Sequence, residues 1–264
     1  MLRKLFIGLA SIVGVIVLAI AVALTYFYIQ GNHQNVVAFP LNPKPRAADA
    51  PPDDGVLIFG ASRNTGMDIA EILVKRGDKV TAFVRSDNAE LEKLGVTLVK
   101  GDALDEAGVK AALEGKHYRA IVSTIACYSC RPQPDFLGNR NIFEAAKAAG
   151  IRRVLLVSTI GAGDSYDATP APAKRFLKDM LPLKTQAEDA LKASGADYTI
   201  IRPGGLKTAP ATHRALLSED RAASGIVTRA DVADLLVKCL DDDATIGKTL
   251  AAIDKDFKFP FDMR

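Results

Sequence analysis

Short runs of apolar residues alternate with helical patterns along most of the chain. Six runs are rich in Val and Ile and apolar at consecutive positions, as in strands covered on both faces of a parallel sheet: residues 56–59, 80–84, 96–99, 120–125, 154–157 and 198–201. Between them, apolar residues recur every three or four positions, with stops at Gly77 and Gly150 and a capping box at Thr228 and Asp231. Strands interleaved with helices predict an α/β fold with a doubly wound parallel sheet.

The chain begins with one long apolar segment. Residues 5–29 contain no charged side chain, and a helix of this length, at about 1.5 Å per residue, exceeds a hydrocarbon core of roughly 30 Å. Two basic residues precede the segment and three aromatic residues, 26–28, end it, as at a membrane interface. A cleaved signal peptide and a buried core helix are the alternatives, but the apolar stretch continues beyond the alanines that offer cleavage sites. We expect a single transmembrane anchor over residues 1–29.

Residues 30–54 are predicted to form a linker. Five prolines fall within thirteen positions of this stretch, at 40, 43, 45, 51 and 52. Proline blocks helices and favours an extended, semi-stiff chain, so we expect the stretch to hold the folded part away from the membrane. The globular part is then residues 55–264, which we treat as one domain.

Composition and charge narrow the class of protein. Lys and Arg number 34 and Asp and Glu 31, which gives a formal net charge of +3. So small an excess provides no electrostatic reason to expect nucleic acid as a partner. Hydrophobic residues make up 48% of the chain and charged residues 25%, as in an ordinary globular protein. Three cysteines are too few for a disulfide scaffold.

The turn after the first predicted strand has the sequence GASRNTG, residues 60–66. In dinucleotide-binding proteins a glycine such as Gly60 allows the tight turn, one such as Gly66 lets the helix approach the sheet, and amides at the helix start face the pyrophosphate. Arg63 stands where the spacing places a middle glycine, so its side chain either obstructs the backbone or itself contacts phosphate. An ordinary turn capped by residue 64 or 65 is the alternative. The predicted phosphate site consists of Gly60, Ser62, Arg63, Asn64, Thr65 and Gly66.

Residues after the next three strands extend this prediction. Arg85 follows the second strand, where an NAD site usually has an acidic residue, and a guanidinium suits the 2′-phosphate of NADP, although Asp87 nearby indicates the opposite preference. Asp102 follows the third strand and is expected near the adenine amino group, unless it only closes a turn. Ser123 and Thr124 follow the fourth strand and are expected along the cofactor. The sequence favours NADP(H) over NAD(H).

With these motifs the chain resembles the atypical short-chain dehydrogenases/reductases, specifically the NmrA-like or NAD(P)H-binding family, over most of residues 55–264. The resemblance rests on GASRNTG, on VR and GD after the second and third strands, and on the stretches NRNIFEAAKAAGIRRVLLVST and KTQAEDALKASGADYTIIRPGGL. It implies a Rossmann-like fold with a small C-terminal substrate region. Members include flavin and biliverdin reductases, other NADPH-dependent reductases, and proteins that bind the nucleotide without turnover. The resemblance therefore implies fold and cofactor class better than it implies a reaction.

The resemblance also suggests catalytic residues. Short-chain reductases generally use a hydroxyl after the fifth strand, which Ser158 and Thr159 match, and a Tyr four residues before a Lys, which Lys184 matches. Met180 stands at the Tyr position, and a thioether cannot donate a proton. Tyr166 is the candidate substitute if its loop folds over the site. Lys184 is expected either to contact the nicotinamide ribose or to form an ion pair at a helix start. A flavin-like acceptor can take its proton from solvent, so activity without the Tyr is possible.

Several further residues fall near the predicted site. Pro203 follows the sixth strand and is expected to form a wall over the nicotinamide, whereas Arg202 is expected to be structural. Cys127 and Cys130 have C-x-x-C spacing, which indicates either a disulfide or redox pair or an ordinary loop wall. Zinc would need two more ligands, so we expect no metal site. Cys239 is expected in the core.

Two functions remain open from the sequence. The first is a membrane-tethered, NADPH-dependent reductase of a small flavin-, quinone- or carbonyl-type substrate. The second is a protein of NmrA type that binds NADP(H) and a protein partner without turnover. A sugar-nucleotide epimerase is weaker because the Tyr is missing.

The side of the membrane that carries the domain is predicted by two arguments that disagree. The basic residues before the apolar segment place the domain outside. NADP(H) is a cytosolic metabolite, which places the domain on the cytosolic face, the placement we favour. An oxidised C-x-x-C pair would favour the opposite side.

Overall fold

The computed structural model describes residues 2–44, 46, 53–259 and 261–263. The predicted linker therefore lies outside the described residues at 45 and 47–52. Within the described part, ten strands form one sheet: β1 Val56–Phe59, β2 Val80–Val84, β3 Thr97–Lys100, β4 Ala120–Ser123, β5 Arg153–Val157, β6 Asp197–Pro203, β7 Gly205–Lys207, β8 Ala215–Ser218, β9 Ile226–Thr228 and β10 Lys248–Asp254. The α-helices of the same part are α1 Leu2–Gly31, α2 Asn64–Lys75, α3 Ala89–Lys93, α4 Glu106–Leu113, α5 Leu137–Ala148, α6 Ala171–Phe176, α7 Leu181–Ala193 and α8 Arg229–Leu240.

Seven strands run parallel, in the order β3-β2-β1-β4-β5-β6-β10. The strand order reverses between β1 and β4, as in a doubly wound sheet, and the predicted fold class is confirmed. Three short strands extend the edge beside β10: β8 and β9 are antiparallel to β10, and β7 is parallel to β9. This extension occupies the place of the small C-terminal region that the family resemblance implies.

Helices cover both faces of the sheet. One face carries α2, packed on α8, and the other carries α4, α5 and α7. Strand β1 is buried at all four positions: Val56 and Ile58 belong to the core beneath α2 and α8, whereas Leu57 and Phe59 belong to the core beneath α4 and α5. Burial of each such side chain contributes about 1.5–3 kcal/mol. The unbroken apolar run is therefore stabilised from both faces.

Helix α1 is separate from these layers. Its apolar side chains from Ile12 to Ile29 are almost all exposed, and burial begins only at Gly31. The segment Ile12–Gly31 has 20 residues and a mean hydropathy of 2.6, so it is long and apolar enough to cross a membrane. A signal sequence near the N-terminus meets the same criteria.

Residues 33–44, which we call the strap, lie on the domain and do not form the spacer that the prolines predict. Gln34 and Val36 are buried, and Asn35 between them is exposed. The backbone N–H of Phe39 donates to the carbonyl of Leu217 in β8 at 2.7 Å. The strap has neither helix nor strand structure, and its free backbone groups can therefore bind the edge of the sheet.

The junction between α1 and the strap is fastened to the C-terminal part of the chain. The Asn32 side chain donates through Nδ2 to the carbonyl of Phe259 at 2.8 Å and accepts through Oδ1 from the Phe259 N–H at 2.7 Å. Gln34 Nε2 donates to the carbonyls of Asp254 and Phe257. These contacts hold the end of α1 in a fixed position on the domain.

Candidate functional site

A cavity of about 940 Å³ lies at the carboxyl ends of the parallel strands. It includes the point where the strand order reverses between β1 and β4, which is where ligands bind in open α/β sheets. It runs from the turn after β1 to the start of α7 and the loop after β6. The cavity brings together most of the predicted site residues: Gly60, Ser62, Arg63, Asn64, Thr65, Gly66, Arg85, Asp102, Thr124, Ser158, Thr159, Lys184 and Pro203.

The turn after β1 requires glycine at two positions. Gly60 has a φ of +90°, which L side chains rarely adopt. A Cβ on Gly66 would lie 2.1 Å from the carbonyl oxygen of Gly60, so only glycine lets α2 start this close to β1. Thr124, at the end of β4, donates through Oγ1 to the same carbonyl at 3.1 Å. The tight turn and the close helix have the geometry that these glycines were expected to allow.

The first turn of α2 has free backbone donors. Arg63 is the N-cap residue and makes no side-chain capping bond, so the structure does not show the turn capped by Asn64 or Thr65 that was the alternative. Uncapped amides at a helix start, with the positive end of the helix dipole, form a binding site for a phosphate. The side chains of Ser62, Arg63 and Asn64 are exposed on the cavity wall.

Cationic side chains lie at this end of the cavity. Arg63 and Arg85 are both exposed there, and neither forms a hydrogen bond or ion pair with another residue that the structure describes. Asp87, the signal for the opposite cofactor preference, is 2.7 Å from the ammonium of Lys100. Asp102 lines the cavity and closes a turn by accepting the amide two residues further on. This end of the cavity therefore presents two cationic side chains to an anionic ligand.

The assignment of Ser123 to cofactor contacts is wrong. Ser123 is completely buried, and its Oγ forms a 2.6 Å hydrogen bond with Oδ1 of Asn139 on α5. Side chains of a strand alternate between its faces, so adjacent Ser and Thr residues cannot both point into the cavity. Thr124 lines the cavity.

Lys184 is buried, with 3% of its side chain exposed, and lies between the two ends of the cavity. Its Nζ is 3.2 Å from Oδ1 of Asp135 and donates to the carbonyl of Ile125 at 3.0 Å. The alternative of a helix-start ion pair with Glu188 is not observed. Asp135 also accepts the amide of Cys127 at 3.2 Å. No sequence motif marks Asp135, which comes from the loop before α5, and it was not among the predicted residues.

A buried network lies behind the hydroxyls that follow β5. Ser158 donates through Oγ to Oε1 of Glu188 at 2.6 Å, and Glu188 also accepts two bonds from the guanidinium of Arg202 at 2.9 and 2.6 Å. Burial alone would lower the pKa of Arg202, but bonds to Glu188 and Asp164 raise it overall. Arg202 is structural, as expected, and Thr159 lines the cavity beside Ser158.

Tyr166 does not lie at the cavity, and the expectation that it replaces the missing Tyr is wrong. Its loop forms a short 3-10 helix, Gly163–Ala168, in which Ser165 points inward and Tyr166 is half-exposed. The ammonium of Lys174 lies 4.2 Å from the centre of the Tyr166 ring. No tyrosine is among the described residues that line the cavity. Met180, which stands at the usual Tyr position, does line it.

Two of the three cysteines form a disulfide, and the third is a free thiol. Cys127 and Cys130 form a disulfide, and both line the cavity. Cys239 is buried in the core, as expected, and burial raises the pKa of its thiol to about 12. The part of the chain that the structure describes contains no group of three or more His, Cys, Asp or Glu side chains placed to hold a metal ion.

Residues 60–243 match a protein-family model described as NAD(P)H-binding. The chain belongs to this NAD(P)H-binding family. Its relatives include an uncharacterized sugar epimerase, YhfK, of Bacillus subtilis, which is 30% identical over 76% of this chain and 94% of its own. The sanguinarine reductase of Eschscholzia californica is 29% identical over 70% and 84% of the two chains. The solved structure of ChuY, an anaerobilin reductase from Escherichia coli O157:H7, is 32% identical, covers 77% of this chain and 98% of its own, and superposes with a TM-score of 0.71.

The cavity fits the cofactor of the NAD(P)H-binding family. A Cβ at Gly60 would lie 2.6 Å from Oγ1 of Thr124, so glycine keeps open the space in which a pyrophosphate approaches the backbone. Uncapped amides at the start of α2 and the guanidinium of Arg63, which has no partner within the described part of the chain, supply donors to that group. The chain is accordingly a reductase-like NAD(P)H-binding protein with a Rossmann-like fold and one apolar N-terminal helix.

Proposed function

We propose that this protein is a membrane-anchored, NADPH-dependent reductase of a small flavin-, quinone- or carbonyl-type substrate. One observation carries the proposal: a single cavity joins a cationic end, at Arg63 and Arg85, to an end lined by apolar side chains, with the buried Lys184 between them. The first end suits a nucleotide with an extra phosphate, and the second suits a flat organic acceptor. Two of the relatives are named reductases, which supports a reductase over an epimerase.

Each part of the cavity has a distinct role in this proposal. The backbone amides of residues 60–66 and the side chain of Arg63 hold the pyrophosphate, and Arg85 holds the 2′-phosphate. Asp102 accepts from the adenine amino group. Lys184, fixed by Asp135, orients the nicotinamide ribose. Thr124 stabilises the turn, and Ser158 and Thr159 border the nicotinamide.

NADPH supplies hydride when it is bound. The residues of this chain bind and orient the cofactor and the substrate, and they exclude water from the site. Pro203 lines the cavity, and its carbonyl accepts the amide of Ile160 at 2.9 Å. In this proposal its ring forms the apolar wall over the nicotinamide. Because no tyrosine of the described part lines the cavity, the proton for the acceptor comes from water.

Cofactor preference is tested by fluorescence titration of the detergent-solubilised full-length protein with NADPH and NADH. We expect at least about tenfold tighter binding of NADPH, equivalent to about 1.4 kcal/mol, because the Arg85 side chain has no competing partner among the residues that the structure describes. Arg85→Glu should abolish the preference while NADH still binds. Arg175→Glu, which changes the same charge on an exposed residue outside the cavity, is the control. Equal affinities in the unmodified protein would refute the preference for NADP(H).

Turnover distinguishes the reductase from the second candidate function, an NADP(H)-binding protein that regulates or assembles with a protein partner. Met180 at the cavity, in the position of the usual Tyr, is the observation that favours the second candidate. We expect NADPH oxidation with at least one acceptor from a panel of flavins, quinones and conjugated carbonyl compounds. Tight NADPH binding with no oxidation across the panel would establish the non-catalytic protein.

The placement of the domain on the cytosolic face belongs to the same proposal, since NADPH is available there. Two observations favour the non-cytosolic face: the Cys127–Cys130 disulfide and the basic residues before α1. In a cytosolic protein such a pair is usually transient and redox-active. Protease accessibility of the domain in intact cells decides between the two placements.

A further inference from the structure

The C-terminal end of α1 forms part of the cavity wall. Gly31 is buried and lines the cavity, although the helix before it is exposed. A Cβ on Gly31 would lie 2.6 Å from Cδ1 of Phe259, which lines the cavity beside it. The carbonyl of Gln30 accepts a hydrogen bond from Ser224, another lining residue. The helix therefore reaches the cavity without an intervening spacer.

The end of the apolar segment fixes the level of this wall in a membrane. The uncharged residues 5–29 end in the aromatic residues 26–28, and the polar residues Gln30 and Asn32 follow. Aromatic side chains at the end of an apolar helix are typical of the boundary between the acyl chains and the head groups. Gly31 comes directly after them and then lies at that boundary. Because Gly31 lines the cavity, this part of the cavity opens at the same boundary.

A second apolar surface borders the cavity at α6. Phe176 and Leu177 line the cavity, yet 62% of Phe176 is exposed. The Phe176 ring stacks on that of Tyr128, which is 45% exposed, with ring centres 5.0 Å apart. Arg175 and Lys178 beside it are exposed cations. Exposed aromatic rings next to cations are typical of protein surfaces at a membrane interface.

The polar groups of the cavity favour an acceptor that needs no protein acid. A simple ketone that accepts hydride becomes a strongly basic alkoxide and requires a positioned proton donor, which Met180 cannot be. A quinone becomes an aromatic hydroquinone anion that water can protonate. Ser158 already donates its proton to Glu188, so its Oγ offers lone pairs to the cavity and can accept from a hydroquinone hydroxyl.

We propose that the substrate is a quinone-type amphiphile dissolved in the membrane, with its ring in the cavity and its hydrocarbon tail passing between Gly31 and Phe176 into the bilayer. This inference rests on the proposed reductase function and names its substrate class. The quinone gains a hydride and one proton from water and leaves as the quinol, and NADPH is oxidised to NADP⁺. The bilayer concentrates a tailed substrate at this opening, whereas a water-soluble substrate gains nothing from it.

The position of the opening is tested without any turnover. The chain contains no tryptophan, so Phe176→Trp adds a unique fluorophore. The full-length variant is placed in phosphatidylcholine vesicles whose acyl chains do or do not carry bromine, which quenches indole fluorescence on contact. We expect strong quenching for Phe176→Trp and none for Ile246→Trp, an exposed control position that precedes the amino end of β10, whereas the cavity lies at the carboxyl ends of the strands. Fluorescence of Phe176→Trp that is unaffected by bromine would overturn the proposed opening.

The substrate class is tested with two quinones that share one ring, one with a long isoprenoid tail and one with a short water-soluble tail. In vesicles, we expect full-length protein to oxidise NADPH faster with the long-tailed quinone. An insertion of about ten Gly and Ser residues between Ile29 and Gln30 keeps the junction but lifts the domain from the bilayer. It should lower the rate with the long-tailed quinone at least about fivefold and leave the rate with the short-tailed quinone unchanged.

Failure of the inference and failure of the proposed function give different results. Equal rates with the two quinones, unaffected by the insertion, would overturn the membrane substrate while leaving a reductase. Absence of NADPH oxidation with both quinones, despite intact NADPH binding, would overturn the substrate class, and activity toward a soluble acceptor in the panel would then preserve the reductase. Quenching of Phe176→Trp still decides the position of the opening in either case.

Discussion

Lys184 depends on Asp135 for its position, and this pair is almost completely buried. We predict that Asp135→Asn destabilises the protein by about 3–5 kcal/mol, because it leaves the ammonium of Lys184 buried without a counter-charge. Urea unfolding of the detergent-solubilised protein, followed by circular dichroism, measures the loss. The double variant Asp135→Asn/Lys184→Met should recover part of it, since no unpaired charge then remains. Additive losses in the double variant would show that the two side chains are not coupled.

Asp231 makes the stability of the C-terminal region depend on pH. Burial alone would raise the pKa of Asp231, but hydrogen bonds from Thr212, Thr228 and His213 lower it below its ordinary value of 3.8. The stabilisation is therefore complete above pH 3.8 and is lost as the pH falls through the lower, folded-state pKa.

We predict that Asp231→Asn costs about 1–3 kcal/mol at pH 7. This difference from the unmodified protein should narrow toward pH 3, because below pH 3.8 the unfolded chain binds a proton at Asp231 more readily than the native state, whose pKa is lower. Urea titrations at the two pH values measure the change. The control is Asp234→Asn on the same helix, which removes a surface ion pair with Lys238 and should cost less than about 1 kcal/mol. A difference that stays constant between the two pH values would contradict the role of the carboxylate.

Sequence reasoning placed side chains correctly where one strand end or one turn fixes them. Gly60, Gly66 and Arg85 follow directly from strand–turn spacing. The same reasoning put Ser123 in the cavity, because the alternation at the end of β4 was not resolved to one residue. It also placed Tyr166 there, although a 3-10 helix turns that ring outward. Asp135 was missed because its contact with Lys184 spans a loop that carries no periodic pattern.

Helix α2 can start where it does only because residue 66 has no side chain. We predict that Gly66→Ala abolishes nucleotide binding and destabilises the protein, since the new methyl group would lie 2.1 Å from a backbone carbonyl that cannot move aside. Titration with NADPH and thermal unfolding measure the two effects. Gly108→Ala is the matched control within α4, where the nearest atom is the mobile end of the Asp105 side chain. That change should be neutral or stabilising by up to about 1 kcal/mol. Retained NADPH binding by Gly66→Ala would contradict the assigned role of the turn.

The sequence predicted those strands and helices whose apolar residues follow a clear periodic pattern. β1 and β2 have the predicted bounds, the strands predicted at 96–99 and 120–125 differ by a few residues at their ends, and the Thr228–Asp231 capping box begins α8 as expected. The short strands β7 and β9, with three residues each, carry too little pattern to be recognised. In the strap, Gln34 and Val36 are buried at alternate positions, a pattern that indicates contact with a folded surface. The prolines that follow led instead to the prediction of a free linker.

At the scale of the whole molecule, the sequence predicts the arrangement of the residues that follow the strands of the parallel sheet. Parallel strands bring their carboxyl ends to one edge, so residues that follow different strands meet there without any knowledge of loops. The position of α1 against the cavity was not predictable, because it depends on hydrogen bonds between residues that are more than 190 positions apart in sequence, such as His33 and Ser224. No local pattern specifies such a contact.

The proposed cytosolic placement predicts the outcome of a protease experiment. A protease that cannot cross membranes, applied to intact cells, should leave the domain uncut, and permeabilisation should expose it. Thiol alkylation of rapidly quenched cells should find Cys127 and Cys130 largely reduced, because the cytosol keeps most protein thiols in the reduced state. Cleavage in intact cells, together with a pair that resists alkylation, would place the domain on the opposite face.

The paired bonds between Asn32 and Phe259 set an order of events during synthesis. The two residues are separated by 227 positions, so α1 leaves the ribosome long before the residue that fastens it has been synthesised. At about 5–20 residues per second the interval is roughly 10–45 s. Other contacts of this region, such as those of Phe39 with Leu217 and of His33 with Ser224, become available before residue 259 is synthesised. The junction that orients the cavity is therefore among the last parts of the molecule to be completed, after the targeting of the nascent chain has already been decided.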